Sequence, residues 1–103
     1  MRTTFQWLAA IGVVVSAGPA RADYDLIVKK NCLACHQVDK RKYGPNFKEI
    51  AAKYVDQKNA ADVLAKKIRK GGTGVWGQDV MPPQPQVSAN EARTIATYVL
   101  SLK

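Results

Sequence analysis

Cys32, Cys35 and His36 are the residues with the most distinctive chemistry in this chain, and they stand in one pentapeptide, Cys32-Leu33-Ala34-Cys35-His36. C-x-x-C-H is the attachment signature of c-type haem. The spacing has a mechanical reason. Two thiols three positions apart near a helix end can each add to one vinyl group of a porphyrin. The adjacent histidine then falls beneath the iron, where an imidazole nitrogen can bind it. Two other chemistries use the same residue types. A thioredoxin-like redox pair expects a βαβ context, and no run of alternating apolar residues follows residue 22. Zinc needs four ligands, usually Cys or His, so here it would have to recruit carboxylates.

An iron held by His36 has a second axial position. His36 is the only histidine, and of the two methionines Met1 stands at the extreme N-terminus, which leaves Met81. His/Met is a standard haem pairing, and a lysine is the chemical competitor. Thioether ligation raises the reduction potential. Two filled axial positions favour electron transfer over oxygen or peroxide chemistry, and without a second histidine the usual distal acid–base group is missing. A metal-bound histidine normally donates its other ring nitrogen to a carbonyl or carboxylate; the carbonyls of the Gly44-Pro45 turn are candidates. Trp76 is either a core residue or an indole donor to a haem propionate. Lys67 and Arg69 are propionate partners or simply solvated helix cations.

Helical spacing positions these residues. The first such stretch runs about Asp25 to Asn31, acidic at its start and basic at its end, and feeds into Cys32. The second runs about Phe47 to Tyr54, with Asn46 and Glu49 as a capping box. The third starts at Asn59 as N-cap, buries Val63, Leu64 and Ile68, and stops at Gly71-Gly72. In the fourth, Ser88 and Glu91 form a second capping box, and Ala92, Ile95, Ala96, Val99 and Leu100 follow at helical spacing. Between the third and fourth lies a Gly- and Pro-rich loop that cannot be regular structure and carries Trp76 and Met81. A loop this long in so small a domain is usually functional.

Residues 1–22 read as an export signal: Arg2, an apolar run from about Phe5 to Ala17, then Ala20-Arg21-Ala22 as the cleavage site. The run is short for a membrane span, which needs about 20 residues. Cleavage after Ala22 leaves residues 23–103 as one domain. A core of that size is marginal and usually needs a staple; a buried porphyrin would serve. Removing Arg2 and Arg21 from the 16 basic residues leaves 14 against 8 acidic, a net charge of about +6. Such a surface suits nucleic acid, anionic lipid or an acidic protein. Export, and the lack of an aromatic-basic recognition motif, argue against nucleic acid.

Cys32 to His36, Gly44-Pro45, Gly74-Val75-Trp76-Gly77, Met81-Pro82-Pro83 and the Ser-capped last helix stand in a familiar order. Over essentially all of residues 23–103 the chain resembles the small bacterial class I cytochromes c. The resemblance implies an all-α cytochrome c fold of four to five short helices around one covalent haem c, with the terminal helices crossing. It implies Pro45 as the carbonyl that holds His36, Met81 as distal ligand, Trp76 as a propionate donor, and Lys67 at a position where relatives often carry a basic residue. It further implies a monomeric periplasmic electron carrier with no stable membrane insertion. Its partners would be acidic docking faces of nitrite reductase, a terminal oxidase or upstream cytochromes. A haem enzyme or ligand sensor with a displaceable Met81 is the alternative. Two departures stand out. Gln84-Pro85-Gln86 is one residue longer than in the shortest relatives, with Gln84 after the Met-Pro-Pro segment where some relatives bond the Met sulfur through an Asn amide. Ile27 stands where an aromatic is common, which implies a softer contact between the terminal helices.

Overall fold

The computed structural model describes residues 3–4, 12 and 19–102. Apart from Gly12, the apolar part of the expected leader lies outside the described residues. Four helices follow in order: α1 (Pro19–Lys29), α2 (Phe47–Tyr54), α3 (Ala60–Lys70) and α4 (Ala89–Leu100), with a 3-10 turn at Cys32–Ala34 between α1 and α2. Among the described residues there is no strand, only an isolated antiparallel bridge between Gly72 and Met81. The βαβ setting of a redox dithiol is therefore missing. No described helix is long and apolar enough to cross a membrane.

Local polar chemistry sets the helix starts. At α2, Glu49 N–H donates to Asn46 Oδ1 at 2.7 Å and Asn46 N–H donates to Glu49 Oε1 at 2.8 Å. At α4, Glu91 N–H donates to Ser88 Oγ at 3.1 Å and Ser88 N–H donates to Glu91 Oε1 at 3.0 Å. Both capping boxes are those expected from the sequence. α3 differs: Asn59 occupies the cap position, but its side chain makes no capping bond. Its Oδ1 accepts instead from Gln57 Nε2 at 3.3 Å. α1 starts ahead of the expected Asp25, so Asp23 and Asp25 lie inside it and the expected cut after Ala22 falls early in it. Beyond its end, Asn31 sits in the left-handed region at φ 67°, a conformation Asn tolerates, and turns the chain into the cysteine motif.

α4 is the hub of the fold, touching α1, α2 and α3. Its inward face carries the expected Ala92, Ile95, Ala96 and Val99, all buried. Against α4 lie Ile27 of α1, Phe47 and Ile50 of α2, and Leu64 of α3; Val63 and Ile68 pack at the edge of this core, half-buried. Ile27 is fully buried. An aromatic contact between the terminal helices is still present, because Tyr24 meets Tyr98 edge-on with ring centroids 6.5 Å apart. Lys30 adds an ion pair to Glu91 at 3.2 Å.

The Glu91 carboxyl is held below its ordinary range, first by the Ser88 backbone N–H and then by Lys30. A carboxylate depressed in this way stabilises the fold fully above its unfolded pKa. That contribution is lost as pH falls through the lower folded value. Melting temperature should thus fall more steeply with acid, below the ordinary value of 4.5, in the native protein than in Glu91→Gln. Calorimetry across that range checks the difference in slope.

Candidate haem-binding site

The cysteine motif is folded as a single tight turn. Cys35 N–H and His36 N–H both donate to the Cys32 carbonyl, at 3.2 and 3.0 Å. This turn follows α1 and is separate from it. The Gly44 N–H donates to the Cys35 carbonyl at 2.8 Å, which folds residues 36–44 back as a loop and brings Pro45 to His36. His36 Nδ1 lies 2.8 Å from the Pro45 carbonyl oxygen. A carbonyl only accepts, so Nδ1 carries the proton of this bond, and in the neutral ring the lone pair is then on Nε2. The imidazole stacks on Phe47, with ring centroids 5.6 Å apart and an interplanar angle of 24°. Gly44 also lies close against the ring: a Cβ there would lie 2.6 Å from His36 Cε1 and 2.9 Å from Nδ1. The ring is thus packed against an aromatic face and against a residue that has no side chain.

Met81 is placed by the bridge that closes the Gly- and Pro-rich loop. Gly72 N–H donates to the Met81 carbonyl at 3.0 Å, and Met81 N–H donates to the Gly72 carbonyl at 2.8 Å. The loop is irregular, as its composition predicts, yet it is pinned at its neck. Its tip is tied across to the histidine side, where Arg41 Nη2 donates to the Trp76 carbonyl at 3.0 Å and Lys53 Nζ lies 5.3 Å from the centre of the Trp76 ring.

Cys32, Cys35, His36, Pro45, Lys67, Trp76 and Met81 all line one cavity, which spans about 1320 Å³ with its open mouth included. Arg69, the other basic residue considered for a propionate, does not line it and is exposed. Apolar side chains of α2, α3 and α4, among them Ile50, Leu64 and Val99, wall the interior. No disulfide joins Cys32 to Cys35. Burial pushes the Cys32 thiol up, against a smaller opposing effect of a backbone hydrogen bond. A reactive redox cysteine needs the opposite shift. Among the described residues no three His, Cys, Asp or Glu side chains come together as a metal cluster, so zinc lacks its ligands. Two thiols, one imidazole with a free Nε2 and one thioether on an apolar cavity are a donor set that fits haem c.

The match to known proteins agrees. The cytochrome c family profile matches residues 24–103. This chain belongs to the cytochrome c family. It is 48% identical to cytochrome c-552 of Nitrosomonas europaea over 103 residues, the full length of both chains. It is 42% identical to cytochrome c-551 of Pseudomonas aeruginosa over 97 residues, 93% of this chain and 92% of that one. The crystal structure of wild-type Nitrosomonas europaea cytochrome c552 superposes with a TM-score of 0.77 at 51% identity, covering 78% of this chain and 99% of that one. The fold is the all-helical one expected, the protein is a cytochrome c electron-transfer protein and not an enzyme, and its cofactor is haem c on Cys32 and Cys35.

Sequence reasoning missed several neighbours of this cytochrome site. Phe47 was legible as the buried face of α2, but nothing in its spacing marks it as the stacking partner of His36. Gly44 was legible as a turn residue, and its contact with the imidazole emerges only from the folded loop. Arg41 and Lys53 carry no signal that separates them from other surface cations.

Proposed function

We propose that this cytochrome is exported, loses residues 1–22, and carries electrons in the periplasm as a monomer to a nitrite reductase or terminal oxidase. The reading is carried by one observation: the proton-bearing Nδ1 of His36 is committed to Pro45 at 2.8 Å while Met81 lines the same cavity. The start of the family match at residue 24 supports removal of the leader.

When bound, the haem supplies a one-electron ferric–ferrous couple. The chain's own residues set the conditions for it. His36 would bind the iron through Nε2, since Nδ1 is committed to Pro45. Met81 would supply a thioether sulfur to the iron, and its paired hydrogen bonds to Gly72 hold its main chain in place at the cavity. Trp76 and Lys67 line the cavity, and each would donate to a propionate. The apolar walls exclude water, which strengthens every charge interaction inside. The net positive surface steers the carrier to acidic docking faces and makes association weaken with salt.

Stopped-flow reoxidation of the ferrous protein by a purified bacterial nitrite reductase and by a terminal oxidase tests this. Rapid electron transfer to at least one of them, slowing as ionic strength rises, is expected; no transfer to either contradicts the reading. The mass of protein recovered from the periplasmic fraction should equal residues 23–103 plus one haem.

A further inference from the structure

A chain of hydrogen bonds runs from the end of α1 to the residue after Met81; Lys30 and Gln86 lie off the cavity lining, and Gln84 and Pro82 lie on it. Lys30, paired with Glu91, donates from Nζ to the Gln86 carbonyl at 3.0 Å. Gln86 Nε2 returns a bond to the Lys30 carbonyl at 3.3 Å and donates to Gln84 Oε1 at 2.7 Å. Gln84 Nε2 then donates to the Pro82 carbonyl at 3.0 Å, while the Gln84 backbone N–H donates to the Ile68 carbonyl at 3.1 Å.

The chemistry of Met81-Pro82-Pro83 explains why such a chain is needed. Proline has no N–H, so between Met81 and Gln84 the backbone offers carbonyls and no donors. The bridge to Gly72 holds Met81 from its own N–H and carbonyl. The next handle, the Pro82 carbonyl, takes its donor from the Gln84 side chain. A primary amide has two donor hydrogens and one acceptor oxygen. Gln86 commits its Nε2 to both Lys30 and Gln84, and by filling the Gln84 oxygen it leaves the Gln84 NH₂ facing Pro82. Lys30 stands two residues before Cys32, so the chain joins the thiol turn to the methionine turn.

We propose that Gln86 is a positioning residue for Met81, acting through Gln84 and Pro82 to restrain the methionine turn relative to the cysteine turn. This rests on Met81 being the distal ligand. Gln86 is exposed, so its replacement leaves no core cavity. The test compares native holoprotein with Gln86→Leu, Gln84→Leu and Ser88→Ala. Ser88→Ala removes the side-chain cap of α4 and lowers stability, while the hydrogen bonds made by Gln84 and Gln86 involve no atom of Ser88. Two readouts are taken: the near-infrared sulfur-to-iron band of the ferric protein, and the rate of carbon monoxide binding to the ferrous protein, which requires Met81 to leave. Each glutamine variant should bind carbon monoxide about five- to tenfold faster than native, the size expected when modest hydrogen bonds are lost. The double variant should be little faster than either single one, because the two residues act in one chain. Ser88→Ala should lower the melting temperature and leave the rate unchanged. A native protein that shows the band, with Gln86→Leu rates no faster than native or Ser88→Ala, overturns this proposal alone. A native protein without the band overturns the Met81 assignment and this proposal with it.

Discussion

Gly71→Ala is expected to unseat Met81. Gly71 ends α3 at φ +73°, in the left-handed region, and a Cβ there would collide with the Met81 carbonyl oxygen while lying 2.9 Å from Pro83 N. These obstacles are backbone atoms, so no side chain can rotate to make room. The chain must open the Gly72–Met81 bridge or reshape the helix end. A non-glycine residue in a sparsely populated backbone region costs about 1–3 kcal/mol before any clash is counted. In a domain of this size each kcal/mol shifts the melting temperature by about 4–8 °C. A fall of roughly 10 °C or more is therefore expected, with weakening of the near-infrared sulfur band and faster carbon monoxide binding. Gly74→Ala is the informative comparison. It also has a positive φ, +93°, but its Cβ would meet nothing within 4 Å. It should lower stability less and leave Met81 in place. Calorimetry and absorption spectra of the two variants separate strain from collision.

Gly44→Ala should damage the other side of the site. Here the backbone is ordinary, and the three atoms nearest the added Cβ all belong to the His36 ring, the first being Cε1 at 2.6 Å. That ring is not a flexible end that can yield. It is stacked on Phe47 and bonded through Nδ1 to Pro45, so a tilt that relieves the contact breaks the 2.8 Å hydrogen bond. Loss of such a supporting bond costs about 10- to 100-fold in metal affinity. The His36 Nδ1 proton should exchange with solvent slowly in the native protein and at least about tenfold faster in the variant, in keeping with a lost bond of about 1 kcal/mol or more. Nuclear magnetic resonance measures that exchange directly. The low-spin absorption spectrum should also be lost at lower urea.

The two predictions depend on features that differ in how far they were legible beforehand. The thiol and imidazole pattern at 32–36 is readable because covalent attachment demands a fixed spacing along the chain. The starts of α2 and α4 are readable because a capping box is a local arrangement within four residues, Asn46 to Glu49 and Ser88 to Glu91. Asn59 shows the limit of the same logic, since a competing donor two residues away, Gln57, takes the oxygen that would have capped α3. Met81 could be reached by elimination, with one histidine and one methionine left after the leader. What could not be read is whatever depends on two distant segments meeting: the Gly44 backbone against the imidazole, Arg41 reaching Trp76, and Gln86 spanning to Lys30 across 56 positions. Gln84 shows both sides of this. Its place after Met-Pro-Pro is visible in the sequence, but the direction of its amide, toward Pro82, is set by Gln86 and by prolines that have no donor of their own.

The central claim is that one imidazole nitrogen from His36 and one sulfur from Met81 hold the iron of a haem bound through Cys32 and Cys35. The near-infrared absorption of the oxidised holoprotein at neutral pH tests it most directly. A weak sulfur-to-iron band that is present in the native protein and absent in Met81→Ala is the predicted result. A native spectrum without that band, or one that survives in Met81→Ala, would contradict the account.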